Sequence, residues 1–225
     1  MANVRVTTNR KALIAELTAD EPILKRVAEE VFKEAFFEPA VEQLKADFEG
    51  SAVTQEIAGG LGAANISDTL DGEFRDAEGD TIPNLWGFIG FDADTGGPAE
   101  QLAPIRIRLD PRHPDGPKMI YRGRPNRDKL TYAWDVQGPD MDAIYADTGL
   151  PWADGISWVK RIEVGLPGIG HFLNVAGRPS SRSGGGIQIE GQLRSGRFKP
   201  TSYLSRMVND FLRRATGRTP NGRSI

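Results

Sequence analysis

Apolar residues near the start recur at helical spacing. Ile23, Leu24, Val27, Ala28, Val31, Ala35, Val41 and Leu44 fall mostly three or four apart, which predicts a helix from Glu21 to Phe48. Asp20 is placed to cap its first turn, and Pro22 stands where a missing amide costs little. Pro39 lies inside the run and predicts a kink or a split there. Phe32, Phe36 and Phe37 widen the apolar face beyond one stripe, so the helix is expected to meet two partners, its own sheet and a neighbouring subunit. At the other end Tyr203, Leu204, Met207, Val208, Phe211 and Leu212 form adjacent pairs about four apart, the pattern of an amphipathic helix. Thr201 or Ser202 is its expected cap, Gly217 its expected stop, and Arg213 and Arg214 favour the dipole of its last turn.

Between the helices the pattern changes. GGLGAANISDTLDG, from Gly59, reads as a loop. Residues 85–91 (LWGFIGF) read as a buried strand, and 104–109 (PIRIRL) alternate like the returning strand of a hairpin. Further strands are expected at 119–122, 130–136 and 157–164 (SWVKRIEV), the last paired with 187–193 (IQIEGQL). A connection of more than twenty residues separates that final pair, and compact domains rarely carry one without a function. The expected architecture is therefore a single α+β domain: an antiparallel sheet flanked by an N-terminal and a C-terminal helix, with a long hairpin loop near 165–186. Leu24, Val27, Val31, Trp86, Phe88, Phe91, Trp158, Leu204, Met207 and Phe211 are its expected core.

Composition narrows the chemistry. Of the 225 residues none is cysteine, which excludes disulfides, thiolate metal sites and cysteine nucleophiles. No apolar run approaches the roughly 20 residues that span a bilayer, and the N-terminus lacks the apolar core of a signal peptide. A soluble protein made in the cytoplasm is expected. The net charge of −3 is unevenly spread: Arg178 to Ile225 holds ten basic residues and two acids. Such a segment suits nucleic acid, or an acidic neighbour that includes another copy of the chain. The basic residues are spaced out without an aromatic platform for bases, which favours the neighbour.

Tests for catalysis find little. SRSGGGIQ lacks the lysine of a phosphate loop and runs into a strand pattern, and no β-branched strand leads into GGLGAAN. Asp92-x-Asp94-x-Gly96 has Ala103 where a calcium loop needs glutamate, so a hairpin turn is the better account. His113 and His171 stand in unrelated contexts, and neither HExxH nor GxSxG occurs. Glu29-Glu30 and Asp140/Asp142 are carboxylate pairs of the solvated kind, although a dyad assembled by the fold stays open. No cofactor or metal is expected.

FEGSAVTQEI from Phe48, then Asn65-Ile66-Ser67 with Thr69-Leu70, then Asn84-Leu85-Trp86-Gly87-Phe88-Ile89-Gly90-Phe91, resemble in order and kind a succession found in virion proteins of tailed bacteriophages. WVKRIEVG from Trp158, the SRSGGG segment and FKPTSYL from Phe198 continue it. The chain is similar to neck and tail-completion proteins, the head-tail connectors and tail terminators. That resemblance implies a virion subunit, made in the host cytoplasm, that acts by assembly. It implies a ring, usually sixfold, between the portal complex and the tail tube, with neighbouring neck, connector or tail-tube proteins as partners. DNA would pass as cargo, and no membrane or catalysis is implied. The loop and the basic C-terminal segment would then make the subunit or ring contacts, through Arg178, Arg182, Ser183, Gly184, Gly185, Gly186, Arg194 and Arg197. A nucleic-acid-binding protein and a carboxylate-dependent hydrolase are the alternatives.

Overall fold

The computed structural model describes residues 21–71, 74–75, 81–91, 95–121, 132–151, 153–165, 172–174, 187–189 and 197–216. The N-terminal run is helical throughout: α1 (Glu21–Phe32), a π-helical turn (Lys33–Phe37) and α2 (Glu38–Gly50) follow without a break. The proline accounts for the π turn. Pro39 has no amide to give the carbonyl four residues back, and the wider turn just before it sends the Glu38 amide back five residues to Lys33 instead. The expected kink or split is thus absorbed within a continuous helix.

α3 (Ala52–Gly59) follows, then a 3₁₀ turn at Gly60–Gly62, then β1 (Leu70–Asp71), β2 (Phe74–Arg75) and β3 (Thr81–Ile82). Next come α4 (Leu85–Ile89) and α5 (Pro98–Arg108), where two strands were expected. In α4 the Asn84 side chain accepts from the Gly87 amide and Gly90 closes the turn at φ 88°, so a single helical turn fits between cap and stop. Leu85, Trp86, Phe88 and Ile89 are all buried, and a helix buried on every side shows no period to distinguish it from a strand. In α5 the alternation of PIRIRL misleads because Ile107 points outward, while Leu102, Ile105 and Leu109 are buried at helical spacing. Glu100 accepts the Gly97 amide at 3.1 Å and starts that helix.

β4 (Lys118–Tyr121) and β5 (Trp134–Gln137) fall where two strands were expected, and they pair antiparallel with each other. α6 (Met141–Asp147) leads to β6 (Gly149–Leu150), which pairs with β7 (Ala153–Ser157). The segment 157–164 is not a strand: α7 (Trp158–Val164) starts at Ser157, whose hydroxyl accepts from the Lys160 amide. Its buried residues Trp158, Val159 and Ile162 share one helical face. β8 (Phe172–Asn174) pairs with β9 (Ile187–Ile189), so the partner of the 187 strand lies inside the long connection. β10 (Arg197–Phe198) returns to pair with β1, and α8 (Leu204–Ala215) ends the described chain.

The protein is α+β, and its described strands form five separate two-stranded antiparallel ribbons in place of one sheet. The terminal helices pack on each other: Phe37 meets Phe211 edge-on at 6.1 Å, Phe48 lies 6.2 Å from Tyr203, and Arg214 donates to Asp47 at 2.7 Å. Of the expected core, Trp86, Phe88, Phe91, Trp158, Leu204 and Phe211 are buried, and Met207 packs half-buried against them. Leu24 is only half-buried, and Val27 and Val31 are outside the core. The reason is that α1 touches the body along one side only, where Phe32 stacks on Trp134 at 5.4 Å and Lys25 sits 4.1 Å over the Tyr121 ring.

Candidate functional site: a hairpin arm on a buried polar frame

The described segments 54–67, 84–87 and 203–205 converge on a few buried polar side chains. Glu56 of α3 is fully buried. Its carboxylate accepts from the Leu85 amide at 2.7 Å and from the Ser67 amide at 2.9 Å. Asn84, also fully buried, donates to the carbonyls of Gly60, Leu61 and Ala63 at 3.0, 3.1 and 2.7 Å, and its own oxygen accepts from Gly87 at 3.1 Å. Asn65 closes the following turn through Leu70. Thr54 and Tyr203 share a buried hydroxyl hydrogen bond of 2.6 Å, which joins α3 to the start of α8. Three stretches far apart in sequence are thereby held as one frame, in which Thr54, Glu56, Asn84 and Tyr203 all have partners.

This frame also decides what GGLGAAN can do. A phosphate loop presents amides. Here the loop aims three carbonyls inward, and the Asn84 amide nitrogen occupies the position they face.

Glu163, the acid of WVKRIEVG, caps the other end of the frame. It accepts from the Ser205 amide at 2.6 Å and from the Tyr145 hydroxyl at 3.1 Å. A residue 42 positions away thus serves the N-terminus of α8, where neither Thr201 nor Ser202 caps. Burial, with Glu163 beside it, pushes the Tyr145 phenol up to about 12. Burial likewise raises the Tyr203 phenol, against the opposing hydrogen bond from Thr54. A phenol held protonated in the fold stabilises it fully below the unfolded value of about 10, and that stability is lost as pH climbs through the raised folded value. Alkaline unfolding is therefore expected to set in above pH about 10. Tyr203→Phe should flatten that limb of the curve, followed by circular dichroism alongside tyrosinate absorbance.

The frame supports the roots of the long connection. The chain leaves the body at Gly165, which has φ +86°, and returns at β10. The two roots are adjacent: Thr201 donates to the Ile162 carbonyl at 3.0 Å, and a side chain at Gly165 would meet Pro200. Between the roots the described strands β8 and β9 pair only with each other. The described part of this excursion is the antiparallel β8–β9 pair, the arm. Val164 at its root is 60% exposed.

Of the expected contact residues, Arg197 lies in β10 opposite Asp71. Arg178, Arg182, Ser183, Gly184, Gly185, Gly186 and Arg194 lie outside the described residues, as do His171, Asp92, Asp94 and the tail 217–225. Arg213 bonds Asp210 and Arg214 bonds Asp47, so these two cations are engaged within the subunit. Asp140 caps α6, accepting from Asp142 and Ala143 amides, while Glu29 and Glu30 face solvent. His113 accepts the Asp115 amide in its turn. Among the described residues no group of three or more His, Asp or Glu is placed to hold a metal ion, and no helix is long and apolar enough to cross a membrane.

A cleft of about 700 Å³ opens between the start of α2 and the 110–119 segment, floored by Phe37, Val41 and Met119. Six of the charges lining it form three pairs: Lys33 with Glu38 at 3.3 Å, Lys45 with Glu42 at 3.4 Å, and Arg112 with Asp110; Lys118 lines it as well. Arg112 holds the Asp110 carboxyl well below the usual carboxylate range. A base or acid poised near neutral pH would need the opposite environment.

Compared with protein-family models, with curated proteins and with solved structures, the chain matches none. Sequence reasoning passed over Glu56, Asn84 and Glu163, the three residues that organise the frame. A signal existed for Asn84 alone, a single polar residue between Ile82-Pro83 and the apolar run from Leu85, the pattern of a group buried with its partners.

Proposed function

We propose that this chain is a structural subunit of a tailed-phage virion at the head-tail junction, a neck, tail-completion or terminator ring protein. The single observation that carries the proposal is the long connection that holds the β8–β9 pair, whose two roots sit side by side on the polar frame. An arm of this kind adds contact area late, because its ordering entropy is lost only when a partner arrives. The succession of virion-like motifs supports the same assignment, since those motifs hold the frame that presents the arm. The subunit acts by surface complementarity: head-to-tail contacts between copies close a ring, and the arms reach the next copy or the adjacent ring.

Deleting Ser180 to Gly185 is expected to leave a folded subunit that no longer joins heads to tails. Electron micrographs of the lysate should then show separate heads and tails, with infectious titre lost. Normal titre from the deletion, with intact particles, would count against the assignment.

A further inference from the structure

We propose that α1 pairs with α1 of a second copy, the two helices lying antiparallel about a two-fold axis at Val27. Ile23, Val27 and Val31 are 54%, 47% and 58% exposed. Spaced four apart, they form one stripe roughly 12 Å long on the outer face of the helix. The helix cannot roll to hide them. Its other side is held by the Phe32–Trp134 stack and by Lys25 over Tyr121.

The charges beside the stripe select the occupant. Arg26 and Glu30 are exposed, four apart, and share one flank of it. Antiparallel packing brings like flanks together. With Val27 on the axis, Arg26 of each copy meets Glu30 of the other, Ile23 meets Val31, and Val27 meets Val27. Parallel packing would bring that flank against the opposite one, which carries the half-buried Leu24 and Ala28 and offers no counter-charge. Each α1 meets its own body through Phe32 and Lys25, on the side away from the stripe. A contact this short buries less than the roughly 1,200–2,000 Å² of a standard interface, so the pair is concentration-dependent. An isologous contact closes at two copies and builds no ring. It therefore stands independently of the head-tail assignment, and the arm deletion leaves it untouched.

The chain has no cysteine, so single cysteines report cleanly. Val27→Cys, oxidised in the full chain, is expected to give a covalent dimer. Ile23→Cys alone and Val31→Cys alone should cross-link poorly, while their equimolar mixture gives the Ile23–Val31 product. Val27→Asp should halve the mass of the largest species in sedimentation with its circular dichroism unchanged, whether that species is a pair of monomers or of rings. Self-cross-linking of Ile23→Cys as strong as that of Val27→Cys would mean a parallel or head-to-tail contact. Absence of any cross-link, with mass unchanged by Val27→Asp, would mean that residues 1–20 or another protein covers the stripe. Either result overturns the proposal.

Discussion

Asn84→Asp is expected to destabilise the protein by about 3–5 kcal/mol, the scale of an uncompensated buried charge. The substitution is nearly isosteric, so packing is spared and only the hydrogen-bond polarity changes. The amide nitrogen now donates to the carbonyls of Gly60, Leu61 and Ala63, all within 3.1 Å. An aspartate would set a second acceptor against those three acceptors in a site without solvent. It could keep the bond from the Gly87 amide, so α4 would retain its cap while the 60–70 segment lost its anchor. That segment also feeds β1, and β1 pairs with β10 at the root of the arm. The effect should therefore reach the arm as well as the fold. Chemical denaturation gives the stability loss. Hydrogen exchange should show early loss of protection across 60–71 and 197–201. A variant with near-normal stability would mean that the Asn84 hydrogen bonds do not hold the frame together.

Trp86→Ala is the second large effect, about 3–5 kcal/mol, typical of removing a large aromatic side chain from a core. Trp86 lies 4.7 Å from Phe91, and Phe91 meets Trp158 edge-on at 6.0 Å. Truncation leaves a void beside the Phe91 ring. The cost depends on whether the surroundings can close in, and here they are constrained on two sides. Asn84 holds the start of α4, and Gly90 bonds back to the Trp86 and Gly87 carbonyls at its end. A five-residue helix pinned at both ends has little freedom to shift into the gap. Trp86→Phe, which keeps a ring in the space, should recover most of the loss. Thermal unfolding of the pair separates cavity formation from a specific role of the indole. Equal loss in both variants would contradict the cavity account.

The two substitutions probe what sequence patterns capture unevenly. The apolar residues of 85–91 were legible as core, and they are core, but their conformation was not legible. A one-turn helix buried on all sides and a buried strand have the same composition. What selects the helix is the Asn84 cap, and that side chain is itself fixed by carbonyls more than twenty residues earlier. PIRIRL and SWVKRIEV failed for related reasons. Ile107 and Val164 are exposed, so each run mimics alternation while its buried residues follow the helical period.

Val27 and Val31 show the reverse case. Their spacing identified the helix correctly, and the same spacing suggested burial that the subunit does not supply. Periodicity reports that a face is apolar. It carries no information about what covers that face, because the cover comes from elements distant in the chain or from another molecule.

What the chain order and residue types settle here is local: the two terminal helices, the α+β class, the strands β4 and β5, the apolar core positions between 86 and 91, and the absence of cysteine chemistry. These depend on spacing, propensity and composition, which act over a few residues. The tertiary structure alone settles that the terminal helices pack on each other, that Glu56, Asn84 and Glu163 are frame residues, and that the 187 strand pairs within its own arm. Those outcomes depend on which buried donor finds which acceptor across twenty to a hundred and fifty residues, and that pairing exists only once the chain has closed on itself.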